Sequence, residues 1–234
     1  MYILLRSLIF ALLLTAPHPG IGQTERGKVE NILSQLVRAY GGEKNLRKQD
    51  NMIQHWDLIA LMGNRKGTDI RVIQAPARLK VELSYPGKTE TRILNGDRAY
   101  YRSNGGPLRD ATGPQRDAMR LQLMRLYSPL QLRDKIDALK LVDDQGLTAL
   151  SLREHEVEVH YLINRENWRI EKVAGTLTLG GREMRFLTLY SDFRTIEGVL
   201  MHHRENKFAG EMNVASLQLN NVTFAIDLVS RQFN

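Results

Sequence analysis

Five histidines and two groups of carboxylates are the side chains of this sequence best suited to hold a metal or move a proton. The histidines beyond the N-terminal segment are His55, His155, His160, His202 and His203. Zinc needs three or four converging ligands. Adjacent His202 and His203, and His155 and His160 five residues apart, point to opposite faces of any strand that carries them. Their spacing predicts exposed strand histidines and no metal site. Asp143-Asp144 and Glu154, Glu156 and Glu158 could do acid–base work, but the aspartates fall at an expected turn, and Glu156 and Glu158 lie on the wet face of an alternating segment. Both groups read as solvated charge. There is no G-x-S-x-G, no phosphate-binding glycine loop and no dinucleotide fingerprint. Cysteine is absent, which removes thiolate nucleophiles, disulfides and sulfur ligands for metals. The expectation is a protein with no catalytic residues, no metal and no cofactor, hence not an enzyme.

The remaining chemistry is that of apolar burial. Ala77 to Ser84 alternates apolar and charged residues, placing Leu79, Val81 and Leu83 on one face of a strand and Arg78, Lys80 and Glu82 on the other. Met52, Trp56 and Leu58 share the face of a preceding strand, and Ile70 and Val72 are expected to point inward from the strand between. Val157, Val159, Tyr161 and Ile163 repeat the alternation later in the chain. Between these two regions lies a helical window from Gln115 to Tyr127. Its stripe of Met119, Leu123, Leu126 and Tyr127 is widened by Ala118, Leu121 and Met124 beyond what one contact needs. The candidate lining of an apolar cavity is therefore Trp56, Leu58, Val72, Leu79, Val81, Leu83 and Tyr161 from strands, with Met119, Leu123, Met124 and Tyr127 from the helix as its lid. Packing of the core is the competing use of each aromatic.

These residues need elements to position them. Val29, Ile32, Leu33, Leu36, Val37 and Tyr40 recur at helical spacing, which predicts a helix from about Thr24 to Tyr40 that ends at Gly41-Gly42. Five short strands separated by Gly63-Asn64, Pro76, Pro86-Gly87 and Asn95-Gly96-Asp97 fill Met52 to Ser103. Ser128-Pro129 starts a short helix through Ile136. Seven further strands are expected at 139–142, 147–152, 157–163, 168–179, 183–192, 199–207 and 212–221, followed by a packed segment carrying Phe224, Ile226, Leu228 and Val229. So many antiparallel strands must curl or close. Helices then cover the concave side. The fold class is mainly β (α+β): a curved antiparallel sheet forming an incomplete barrel.

Met1 to Leu14 is a short apolar run with an early Arg6, and it is broken by Pro17 and Pro19. This pattern predicts a signal peptide over residues 1–22 and a single domain over 23–234, which places the chain in the periplasm. The run is too short for a permanent membrane helix. With 33 Lys+Arg against 26 Asp+Glu the net charge is +7. The basic residues are scattered without a polybasic block. Such a surface tolerates anionic partners and peripheral contact with a membrane, and nucleic acid is not expected as a partner. A monomer is expected.

Val72-Ile73-Gln74-Ala75-Pro76, then Leu79 to Leu83, Pro86, Gly96 and Tyr100-Tyr101, form an ordered series, and Asp192-Phe193-Arg194 precedes Glu197-Gly198-Val199. In this order the sequence resembles the periplasmic lipoprotein-carrier fold of the LolA and LolB type, over most of the chain. The resemblance implies an unclosed barrel whose helix-covered concavity receives acyl chains. In the carrier an arginine that handles ligand stands directly before the strand-ending proline, where this chain has Ala75. The receptor-type member is anchored through a lipidated cysteine, which this chain lacks. What the resemblance implies here is a periplasmic carrier or binding protein for lipid or acylated, lipoprotein-like ligands. The alternative is an envelope interaction or sensor module with the same fold and no transported ligand.

Overall fold

The computed structural model describes residues 21–224 together with Asp227, Leu228 and Phe233. The expected signal peptide lies outside the described residues except for its last two positions, as do Ile226 and Val229. Helix α1 (Ile21–Ala39) ends at Gly41-Gly42 and is followed by the single turn α2 (Glu43–Leu46). At Gly41, φ is +109°, and a Cβ there would lie 1.9 Å from the carbonyl oxygen of Gly198. Glycine is the residue that fits this close approach.

The first meander comprises β1 (Asn51–Ala60), β2 (Arg65–Gln74), β3 (Arg78–Tyr85), β4 (Lys88–Asn95), β5 (Arg98–Ser103) and the two-residue β6 (Arg109–Asp110). Two short helices follow, α3 (Pro114–Met124) and α4 (Pro129–Arg133). Ser128 caps α4 by accepting from the Gln131 amide while the Gln131 side chain accepts from the Ser128 amide, a complete capping box. The second meander is β7 (Leu139–Asp144), β8 (Leu147–Glu154), β9 (Val157–Asn164), β10 (Arg169–Leu179), β11 (Arg182–Ile196), β12 (Val199–Ala209) and β13 (Met212–Phe224).

All thirteen strands form one antiparallel sheet in the order β6-β5-β4-β3-β2-β1-β13-β12-β11-β10-β9-β8-β7. The first and last long strands meet at its centre, where Met52 pairs with Phe224 and Leu58 with Leu217. The two outermost strands, β6 and β7, do not pair, so the curled sheet stays open. Helix α3 packs against β3, β4 and β5 from one meander and β9 and β10 from the other. It therefore spans the concavity. Gly175 on β10 makes this approach close: a Cβ there would sit 2.4 Å from Leu121 Cδ1. Helix α1 packs on α4 and β7, and its apolar stripe belongs to the same core as the concave face of the sheet.

The expected inward direction of Ile70 and Val72 is corrected. Asp69 pairs with Trp56, and Arg71 with Gln54 and Val81, so these two charged residues of β2 face the concavity. Val72 lies on the convex side, packed with Ile93, Tyr100, Leu228 and Phe233. Both faces of β2 are covered, and the apolar residues on its outer face mimic the pattern of an inner one.

Candidate functional site

Charged residues that sequence patterning did not single out meet on the concave wall. Arg71 lies between two carboxylates. Its Nε and Nη2 donate to Asp69 at 2.8–3.2 Å, and Nη1 and Nη2 donate to Glu205 Oε1 and Oε2 at 2.8 and 2.9 Å. All three side chains are buried, at 1–2% exposure. Burial would disfavour the Arg71 charge, yet the flanking carboxylates hold it firmly protonated. Burial likewise works against an ionised Glu205, but the Arg71 charge, then Lys207 and a His202 hydrogen bond, hold its carboxyl well below the usual range. Lys207 completes the group, 3.4 Å from Glu205 and 3.9 Å from Asp69.

Aromatic rings frame this cluster. The Arg71 guanidinium lies 4.8 Å from the Trp56 ring centroid, and Trp56 Nε1 donates to Gln54 Oε1 at 3.0 Å. His202 stacks between Trp56 at 5.7 Å and Tyr190 at 4.0 Å, with its Nε2 3.1 Å from Glu205 Oε1. His202 is thus held inside the fold, and His203 is buried against the Met201 carbonyl. The exposed positions expected for these two histidines are corrected. Asp144 is also buried, at the end of β7 on the convex face, where it contacts Arg185 and His160 at 2.8 Å. Nearby Ser151 donates to Glu158 at 2.7 Å, not to His160, so the hydroxyl lacks the histidine base that would make it a nucleophile.

Helix α3 closes the concavity with its C-terminal end fixed by tyrosines. Tyr161 Oη donates to the Met124 carbonyl at 2.7 Å, and Tyr190 Oη to the Arg125 carbonyl at 2.9 Å. Burial pushes both phenols above their ordinary range, keeping them protonated as donors. Tyr127 Oη reaches Glu154 and the Pro76 carbonyl, each at 3.1 Å. Along the helix, buried Arg120 pairs with Asp97 of the β4–β5 hairpin at 3.0 Å.

Beneath the lid are two adjoining cavities that share Arg125, Leu126 and Tyr190. The smaller, about 50 Å³, includes Tyr127 and Tyr161 in its lining. The larger, about 210 Å³, is lined by the apolar Leu121, Leu177, Leu179 and Phe186 and by the polar Arg71, Thr188, Glu205 and Lys207. Of the sequence-predicted residues, Trp56, Leu58, Leu79, Val81, Met119, Leu123, Met124, Tyr127 and Tyr161 are buried in one contiguous core, against which Leu83 packs. Most of them fill the concavity. Trp56, Leu58, Leu79, Val81, Leu83, Met119, Leu123 and Met124 line neither of the two cavities, and Val72 faces away. Missed from sequence were Arg71, Arg125, Thr188, Glu205 and Lys207. The usable signal was the pair of i, i+2 charge patterns, Asp69-x-Arg71 and Glu205-x-Lys207, because such residues share a strand face.

No family model matches this sequence, and no curated protein matches it. Solved structures do match the fold. A LolA superfamily protein from Nitrosomonas europaea superposes with a TM-score of 0.56 and 12% identity, over 88% of this chain and 97% of that one. The chain has the LolA-type fold. A structure from Vibrio parahaemolyticus described as an outer membrane lipoprotein-sorting protein domain gives a TM-score of 0.55 and 10% identity, over 89% of this chain and 97% of the other.

Proposed function

We propose that this protein is a periplasmic, non-enzymatic binding protein or carrier for a lipid or acylated ligand, received between the concave sheet and α3. The cavity of about 210 Å³ under the lid carries the reading. An apolar cavity of about 150 Å³ is enough to hold benzene, so the resting cavity has room for a headgroup and a few methylenes. A longer chain needs α3 to move, and each methylene then buried adds about 0.8 kcal/mol regardless of headgroup. The N-terminal apolar run and the sorting-protein description of a fold neighbour agree with this reading.

Lipid extraction from protein purified from its own envelope, followed by mass spectrometry, should recover an apolar cargo. A fluorescent fatty-acid probe should bind, and Leu179→Asp should weaken it by placing a charge on the apolar wall. Failure to recover cargo together with failure of the probe to bind would remove the carrier reading.

The filled state of most of the concavity supports a second reading, an envelope interaction module without cargo. It requires a partner protein whose binding is lost when the edge strand β7 is altered, with no change in interior volume on adding lipid.

A further inference from the structure

Seven buried side-chain polar atoms lack a hydrogen-bond partner among the described residues, and three of them belong to residues lining the 210 Å³ cavity: Arg125 Nε, Arg125 Nη2 and Thr188 Oγ1. Buried polar groups are ordinarily satisfied, and two of the three guanidinium nitrogens of the half-buried Arg125 are not. The other cations of this wall have partners. Arg71 and Lys207 share Asp69 and Glu205, Arg92 shares Glu90 with Lys88, and Arg125 is in no ion pair among the described residues. Its backbone is fixed by the Tyr190 hydroxyl, and Leu177, Leu179 and Phe186 line the same cavity.

We infer that this cavity is a headgroup site that selects acyl or alkyl ligands bearing one terminal anion, a carboxylate or a phosphate monoester. Arg125 and Thr188 receive the anionic oxygens, and the first methylenes lie along Leu177, Leu179 and Phe186. A guanidinium supplies parallel donors that match either oxyanion. Partial burial strengthens the pairing relative to water. The assignment rests on the lipid-binding reading above and adds to it the chemistry of the headgroup.

Calorimetric titration of the purified protein with dodecanoate, dodecyl phosphate and dodecanol, each below its micellar concentration, tests it. Both anions should bind at least about tenfold more tightly than the alcohol, the difference expected of one charge-assisted pairing. The tighter anion identifies the headgroup source. Arg125→Met should bring the anions to the affinity of the alcohol, while Arg125→Lys should keep part of the preference. Equal binding of all three ligands by the unmodified protein, or unchanged anion affinity in a folded Arg125→Met variant, would overturn the headgroup site yet leave lipid binding standing. Absence of binding by every ligand would overturn both readings. If Arg125→Met does not fold, Thr188→Val supplies the comparison: it should lower anion affinity severalfold and leave the alcohol unchanged, and equal effects on both would count against the site.

Discussion

At the scale of single residues, Arg71 has the most neighbours that depend on its charge. Replacing it with Met leaves Asp69 and Glu205 buried with only Lys207 as counter-ion, and the expected loss of unfolding free energy is about 3 kcal/mol, read from urea titration at neutral pH. Acid should act through Glu205. Its carboxyl titrates lower in the folded chain than in the unfolded one. Its contribution is therefore complete above the ordinary glutamate range and declines as pH falls from about 4 toward its folded value. Glu205→Gln should flatten that part of the stability–pH curve, measured as the denaturant midpoint between about pH 2 and 6. The same residues show what patterning conceals. Leu79, Val81 and Leu83 were legible because their outer neighbours are charged. Arg71 and Val72 were not, because the apolar cover of Val72 comes from Leu228 and Phe233, more than 150 residues along the chain. Local alternation carries no record of so distant a partner.

Among the elements, α3 decides access to the interior. Its hold depends on Tyr161, Tyr190 and Arg120 and on the missing side chain at Gly175. Tyr161→Phe removes one buried hydrogen bond and leaves the Tyr127 amide, at 3.2 Å, as the remaining donor to the Met124 carbonyl, for an expected cost of about 0.5–1.5 kcal/mol. Faster amide exchange should be confined to residues 114–127. Gly175→Val should displace Leu121 and destabilise by about 1–3 kcal/mol through overpacking, checked by thermal unfolding. The helix itself was readable from its wide apolar stripe, and so was the short helix after Ser128-Pro129. The meaning of the stripe was not. Width signalled burial on several sides at once, since α3 touches strands from both meanders, and most of its apolar residues pack core and leave little open wall.

The whole molecule is two meanders joined side by side. Turn chemistry made most strand positions legible, down to the hairpin at Asn95-Gly96-Asp97. The neighbours β1 and β13 were not legible, because nothing local to either strand names the other. Arg71 on β2 reaches Glu205 on β12 across that junction, so the buried charge cluster ties together parts of the chain that turns alone do not connect. Long-range pairing of this kind slows folding.

The meeting of the first and last long strands at the middle of the sheet makes the protein divisible. If translation is interrupted between Gly105 and Gly106 and the remainder supplied as a separate polypeptide, each piece retains a nearly complete run of hairpins, and what must be rebuilt is the long β1–β13 boundary, the two-residue β5–β6 pairing, the lid and the packing of α1 on α4 and β7. Co-expressed halves should copurify as a one-to-one complex, and Glu205→Ala in the second half should sharply reduce its yield. A gene broken at that point would thus encode two subunits of one heterodimer, with Arg71 and Glu205 serving as the recognition code between them.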